Sequence, residues 1–182
     1  MYELKNIWHS LSDDRVKEDD FIAVIEIPKG SKKKYEIDKE TGYMILDRIL
    51  YTSVQYPANY GFIPRTLSDD GDALDVLVLS SETIDSSTLV RCYPIGMVTM
   101  IDSGKGDEKI IAIPYGDPIY NEYKSIDMLP KHVSEELLHF LKIYKQLEDK
   151  VSEVKGISDV DEAKKTITKA KANYNKTFNH ID

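Results

Sequence analysis

The chain has one cysteine, Cys92, so no disulfide can form within it. Its setting, Leu89-Val90-Arg91-Cys92-Tyr93, reads as a half-buried strand and makes it a core thiol rather than a nucleophile. The four histidines, His9, His132, His139 and His180, show no ligand spacing with one another and read as surface or packing residues. No run approaches the roughly 20 apolar residues of a membrane span. The N-terminal stretch carries charge from Glu3 onward and has no apolar core, so it does not read as a signal peptide. The expectation is a soluble, cytoplasmic protein. There is no repeat period and no low-complexity segment, and the basic run Lys32-Lys33-Lys34 is too short to form a tail. An excess of positive charge is missing as well: 24 Lys and Arg stand against 32 Asp and Glu, a formal net charge of -8. Proteins whose main task is to grip nucleic acid usually carry a basic face, because phosphate neutralisation supplies most of that affinity.

What is present suits one compact domain spanning 1–182, with 41% apolar residues to build its core. The first two thirds are punctuated like a β-protein. Phe21 to Ile27 is rich in β-branched residues and stops at Pro28-Lys29-Gly30. Lys34 to Asp38 and Tyr43 to Ile49 alternate on either side of Thr41-Gly42, which predicts a hairpin. Val76 to Leu79 is a short apolar strand, and Leu89 to Asp102 is a long one that Pro94 and Gly96 should bend. Ser103 to Gly106 reads as a turn before a returning strand from Glu108 to Pro114. The last third changes period. Leu137, Phe140, Leu141, Tyr144 and Leu147 share one helical face, with Pro130 in the first turn. A second amphipathic helix runs from about Asp161 to Tyr174, with Asp159 and Glu162 spaced as a capping box. The predicted fold is α+β, mainly β: a small barrel with C-terminal helices packed beside it.

The most informative segment is Asp70-Gly71-Asp72-Ala73-Leu74-Asp75, which runs directly into Val76-Leu77-Val78-Leu79. Three carboxylates within six residues repel one another, and divalent cations offset that repulsion. Mg²⁺ in particular prefers a few carboxylates, retained waters and phosphate oxygens to a closed protein cage. An acidic loop taken alone is more often just solvated. Two other readings fail on spacing. An EF-hand counted from Asp70 needs Gly sixth and Glu twelfth, where Asp75 and Ser81 stand. A phosphatase with an aspartyl nucleophile carries its acids after a strand, whereas here the strand follows them. Asp102 and Asp107 flank the turn at 103–106, and if that turn closes a hairpin they oppose each other across its mouth, which is unfavourable unless bridged. Lys34, Arg48, Lys109 and Lys145 offer cations, and Lys34 with Glu36, like Asp107 with Lys109, falls on one strand face. Tyr56-Pro57-Ala58-Asn59-Tyr60-Gly61-Phe62 is unusually aromatic for a loop; its rings can cover a barrel end while its hydroxyls donate to phosphate.

In chain order, Ile25 to Pro28, Lys34 to Asp38, Asp47-Arg48, Tyr56 to Gly61, Asp70 to Asp75, Arg91 to Gly96, Asp102 with Asp107 and Lys109, and Tyr144-Lys145 together resemble the soluble family I inorganic pyrophosphatases. The resemblance covers about Phe21 to Lys145. It implies an OB-like five-stranded β-barrel with flanking helices, and Mg²⁺-dependent hydrolysis of pyrophosphate to two orthophosphates. It also implies roles: Asp70, Asp75, Asp102 and Asp107 as metal ligands, Glu26 and Glu36 supporting the metals and their waters, and Asp72 accepting a proton from the attacking water. Lys34, Arg48, Tyr60, Lys109, Tyr144 and Lys145 would hold phosphate, with Tyr56 nearby. Ala73 departs from the family's usual Pro or Glu; losing Pro there costs about 0.4–1 kcal/mol through the unfolded chain. Bacterial members are often hexamers, and the helix bearing His139 resembles the one they assemble through, although Ile143 stands where a second His is common. Two other functions fit parts of the pattern. A non-catalytic OB-type module for nucleic acid would use Tyr56, Tyr60 and Phe62 for stacking. A nucleotide or polyphosphate hydrolase would use the same metal chemistry.

Overall fold

The computed structural model describes residues 6–148, 150 and 152–178; His180 lies outside them. Nine strands and three helices are named here in chain order. A short helix α1 (Ile7–Ser10) precedes β1 (Phe21–Ile27), the hairpin β2 (Lys33–Ile37) and β3 (Met44–Ile49), β4 (Asn59–Ile63) and β5 (Leu74–Val78). Then come the long β6 (Leu89–Asp102), β7 (Lys105–Gly106), β8 (Lys109–Pro114), α2 (Lys131–Ile143), β9 (Ser152–Ser158) and α3 (Val160–Phe178).

Five strands close on themselves in the order β1-β4-β5-β8-β6, with β6 returning to β1. The predicted five-stranded barrel with C-terminal helices is therefore present. Closure removes free edges from the central sheet. It depends on β6 being long and bent. Its first part pairs β1, with Phe21 opposite Cys92. The register against β8 slips between Pro94 and Gly96, and the second part pairs β9. The proline and glycine in this strand thus mark the expected bulge.

The barrel strands are apolar on both faces because both are covered. Leu77, Ile111 and Ile113 pack in one cluster with Leu137, Phe140 and Leu141 of α2. Their neighbours Val76, Val78, Ile110 and Ala112 pack in a second cluster with Ala163, Ile167 and Ala170 of α3. Strands buried on both sides read as unbroken apolar runs rather than alternating ones, as Val76 to Leu79 does. Gly61 of β4 lies opposite Ile25, and a Cβ there would sit 1.8 Å from the Val24 carbonyl oxygen, so the pairing of β1 with β4 requires glycine.

Three expectations are corrected. α2 ends at Ile143, with Tyr144 as its C-terminal cap, so Leu147 is off the buried face and is 65% exposed. The turn at 103–106 is tighter than expected: Ser103 (φ 51°) and Gly104 (φ 81°) make it, and Lys105–Gly106 already pairs with β6 as β7. The aromatic stretch before Phe62 is not all loop, since Asn59–Ile63 is a barrel strand. At the start of α3, Asp159 Oδ1 accepts from the Glu162 N–H at 3.0 Å, the expected cap.

Candidate active site

Strand register delivers the first charges to one end of the barrel. β5 and β8 run parallel with Asp75 opposite Lys109, and β4 lies antiparallel on the other side of β5. Lys109 Nζ is 2.7 Å from Asp75 Oδ2, 2.8 Å from Asp107 Oδ1 and 3.1 Å from Tyr60 Oη. Tyr60 Oη donates to Asp75 Oδ2 at 2.5 Å. Lys109 is only 2% exposed. Burial opposes its charge, but Asp75, Tyr60 and Asp107 outweigh burial and hold its pKa well above the usual lysine value. Burial raises the pKa of Tyr60 far above the usual phenol value, with Asp75 adding to the shift.

The end of β6 adds Asp102, and the link from β7 to β8 adds Asp107. Lys145, two residues beyond α2, donates to Asp102 Oδ2 at 2.7 Å. Asp102 Oδ1 is buried without a hydrogen-bond partner. The acidic loop is closed at its base by Thr66, whose hydroxyl accepts from Leu74 N–H at 2.9 Å. Within it, Asp72 O accepts from Ser68 N–H at 2.8 Å and Asp70 Oδ1 from Asp72 N–H at 3.0 Å, while Gly71 takes φ 95°. A left-handed residue lets this turn fold tightly enough to present Asp70 and Asp72 together. On the opposite wall, Lys34 of β2 pairs with Glu36 and, at 3.3 Å, with Asp47. Glu26 of β1 accepts from Ile37 N–H at 3.0 Å.

These elements enclose a cleft of about 280 Å³. Twelve of the fourteen candidate residues line it: Glu26, Lys34, Glu36, Tyr60, Asp70, Asp72, Asp75, Asp102, Asp107, Lys109, Tyr144 and Lys145. Arg48 and Tyr56 do not. Arg48 lies behind Lys34, paired with Asp47 and 2.7 Å from Glu148 Oε2. Tyr56 is 2% exposed and buttresses Tyr60, with ring centroids 5.4 Å apart. Asn6, Trp8, Tyr35, Ile37 and Lys39 also line the cleft and are not among the candidates; so does Phe62, which the sequence offers only as a stacking residue. Lys39, in the hairpin turn, ion-pairs with Asp72. Nothing in the local sequence around Asn6 or Trp8 marks chemistry; only the fold brings them here.

The cleft holds seven carboxylates and four lysines. Burial and then the charge of Asp75 push Glu26 up to about 8. Burial also raises Asp70, reinforced by Asp72 and Asp75, and it raises Asp107 despite Lys109. Such carboxylates are under-compensated by the protein's own cations. Among the described residues no three acidic, histidine or cysteine side chains are close enough to enclose an ion unaided. Hard carboxylate oxygens, with an orphaned buried one on Asp102, fit a hard divalent cation that keeps part of its water shell.

Acids that need cations stand beside cations that need anions, which is the charge plan of a protein that handles metal ions and phosphate together. Comparison with known proteins makes this specific. Residues 23–175 match the family described as "Inorganic pyrophosphatase". An inorganic pyrophosphatase of Aquifex pyrophilus is 47% identical over 156 residues, covering 82% of this chain and 88% of that one. One from Synechocystis is 48% identical over 152 residues, covering 84% and 90%. The solved structure of the Helicobacter pylori inorganic pyrophosphatase superposes with a TM-score of 0.86 at 41% identity, covering 91% of this chain and 99% of that one. The chain belongs to the inorganic pyrophosphatase family, and membership implies a divalent metal cofactor.

Proposed function

We propose that this chain is an inorganic diphosphatase that hydrolyses pyrophosphate to two orthophosphates with Mg²⁺, in the cleft at the barrel end. The observation that carries this reading is the convergence of acids from β1, β2, β5, the loop before β5, the end of β6 and the link from β7 to β8 on one cavity that also holds Lys34, Lys109, Tyr144 and Lys145. Asp70, Asp75, Asp102 and Asp107 would hold the metal ions, with Glu26 and Glu36 fixing their waters. Bound Mg²⁺ supplies charge neutralisation and lowers the pKa of coordinated water.

The protein's own groups do the rest. Pyrophosphate carries several negative charges, so a water approaching it must be oriented against repulsion, and the lysines lower that repulsion. Lys34, Lys109 and Lys145 act as point charges on phosphate oxygens, and Tyr60 and Tyr144 donate from rigid apolar bodies. In the structure described, Lys109 and Lys145 are held by aspartates. The same aspartates, Asp75, Asp107 and Asp102, would hold the metal ions, and the two ammonium groups beside them would then face phosphate. Asp72, at the cleft rim and 57% exposed, accepts the proton of the attacking water. Arg48 is one step removed, and reaches substrate only by exchanging its acidic partners for phosphate.

The chain is further proposed to be a cytoplasmic homo-oligomer, a hexamer by resemblance. Support for assembly comes from apolar surface left uncovered on and beside β3, where Tyr43, Ile45, Leu46 and Ile49 are 65%, 52%, 49% and 47% exposed. No helix among the described residues is long and apolar enough to cross a membrane. The test of function is phosphate release from pyrophosphate with and without Mg²⁺, run beside ATP hydrolysis and single-stranded DNA binding. Mg²⁺-dependent release from pyrophosphate is expected. Activity on ATP alone, or tight DNA binding without hydrolysis, would overturn the reading.

A further inference from the structure

We propose that Trp8, the sole tryptophan, is a positioning residue for the carboxylates of the acidic loop, and so sets the affinity of the cleft for divalent cations. This inference rests on the proposed function, because it concerns the same cleft. The indole N–H of Trp8 donates to the Thr66 carbonyl at 2.9 Å, and the Trp8 carbonyl accepts from Arg65 N–H at 2.9 Å. Thr66 is fully buried; its hydroxyl donates to Ile63 O at 2.5 Å and accepts from Leu74 N–H at 2.9 Å. Thr66 is therefore the latch at which the loop leaves β4 and rejoins β5. Trp8 supplies the donor to the main-chain carbonyl of that latch.

The indole also backs the loop from behind. Trp8, Val24, Phe62 and Tyr174 form a buried cluster, and Leu67 and Ala73, one on each side of Asp70 and Asp72, pack against it. The other face of Trp8 borders the cleft. Lys39 Nζ lies 5.7 Å above the ring and ion-pairs with Asp72, so the ring touches the loop's charges through one intermediary. A cation-binding loop gains affinity when its carboxylates are held in place before the ion arrives, because the ordering cost is then met in folding. Without the indole N–H, a buried carbonyl at the base of the loop loses its partner, which costs about as much as a typical unsatisfied buried group.

The test is calorimetric titration of Mg²⁺ into wild-type protein and into Trp8→Phe, which keeps an aromatic ring and loses the donor. Tyr174→Phe serves as control; it removes the contact with His9 Nδ1 within the same aromatic cluster and leaves Thr66 untouched. Trp8→Phe is expected to weaken Mg²⁺ binding about tenfold, while Tyr174→Phe binds as wild type does. Equal affinity in wild type and Trp8→Phe would overturn the proposal, as would equal weakening by both substitutions. A measurement on the unaltered protein covers the case of a variant that does not fold. In the Mg²⁺-free protein its single indole N–H, bonded to the Thr66 carbonyl, should already be protected from hydrogen exchange. An indole N–H that exchanges freely before the ion arrives would refute positioning by Trp8. Wild-type protein that binds no Mg²⁺ and releases no phosphate would instead refute the proposed function.

Discussion

Single residues carry two kinds of duty in this barrel, chemical and conformational. We propose the first for Asp72, which lies at the rim, 57% exposed and ion-paired with Lys39, where it can take a proton from water. Asp72→Asn should bind Mg²⁺ with near wild-type affinity in calorimetry and lower kcat about 10²–10⁴-fold; a near-normal rate across pH would exclude it as the proton acceptor. Asn59 has the second duty. Fully buried at the start of β4, its side chain accepts from Lys29 N–H at 3.0 Å and Ile84 N–H at 2.9 Å and donates to Ser80 Oγ at 3.1 Å. Truncation leaves several buried groups unpaired at once. Asn59→Ala should therefore lose about 3 kcal/mol in denaturant unfolding, and a loss below about 1 kcal/mol would mean water replaces the amide.

At the scale of elements, charges tie loops to the barrel. Asp117, just past β8, accepts from the N–H groups of Ser81, Ile119 and Tyr120. Burial opposes its charge, but these bonds prevail and hold the carboxyl below its usual range. A depressed folded pKa adds stability at pH values above the ordinary aspartate pKa of about 3.9 and loses it as pH falls through the folded value. Asp117→Asn should therefore be less stable than wild type at pH 7, with the gap closing in acid; urea melts along a pH series check this. Arg48 and Glu148 fasten the β2–β3 hairpin to the segment after α2, with side chains only 15% and 4% exposed. Glu148→Ala leaves a buried guanidinium with one fewer partner and should cost about 3 kcal/mol in thermal or urea unfolding. A change within experimental error would show the pair to be solvated. Much of this scale was legible in the sequence. Period-2 alternation marked the hairpin, apolar runs marked β5 and β8, and the 3.6 period marked α2 and α3. β9 was not legible, because it is a strand on the flank of β6 whose Glu153 and Lys155 face solvent and whose Gly156 takes φ 150°. Its pairing comes entirely from its partner.

At the scale of the whole molecule, the net charge is -8, and seven carboxylates share one cleft with only four lysines. The acids were legible because repelling charges on a short loop need an explanation, and their resemblance to a family supplied their order. The surroundings were not legible: Asn6, Trp8 and Lys39 reach the cleft only through tertiary packing, and Arg48 and Tyr56 stand back from it for the same reason. Cations that bind the folded cleft alone should stabilise the entire fold. Saturating Mg²⁺ at 100 times its dissociation constant is expected to add about 2.7 kcal/mol, read as a rise in Tm that EDTA reverses. Whether the cleft binds metal ions and phosphate together is decided by crystals soaked with Mn²⁺ and a non-hydrolysable pyrophosphate analogue. Anomalous peaks bonded to Asp70, Asp75, Asp102 and Asp107 are expected, with the analogue against Lys109 and Lys145. Peaks confined to other surfaces, with the cleft holding only water, would contradict joint binding there.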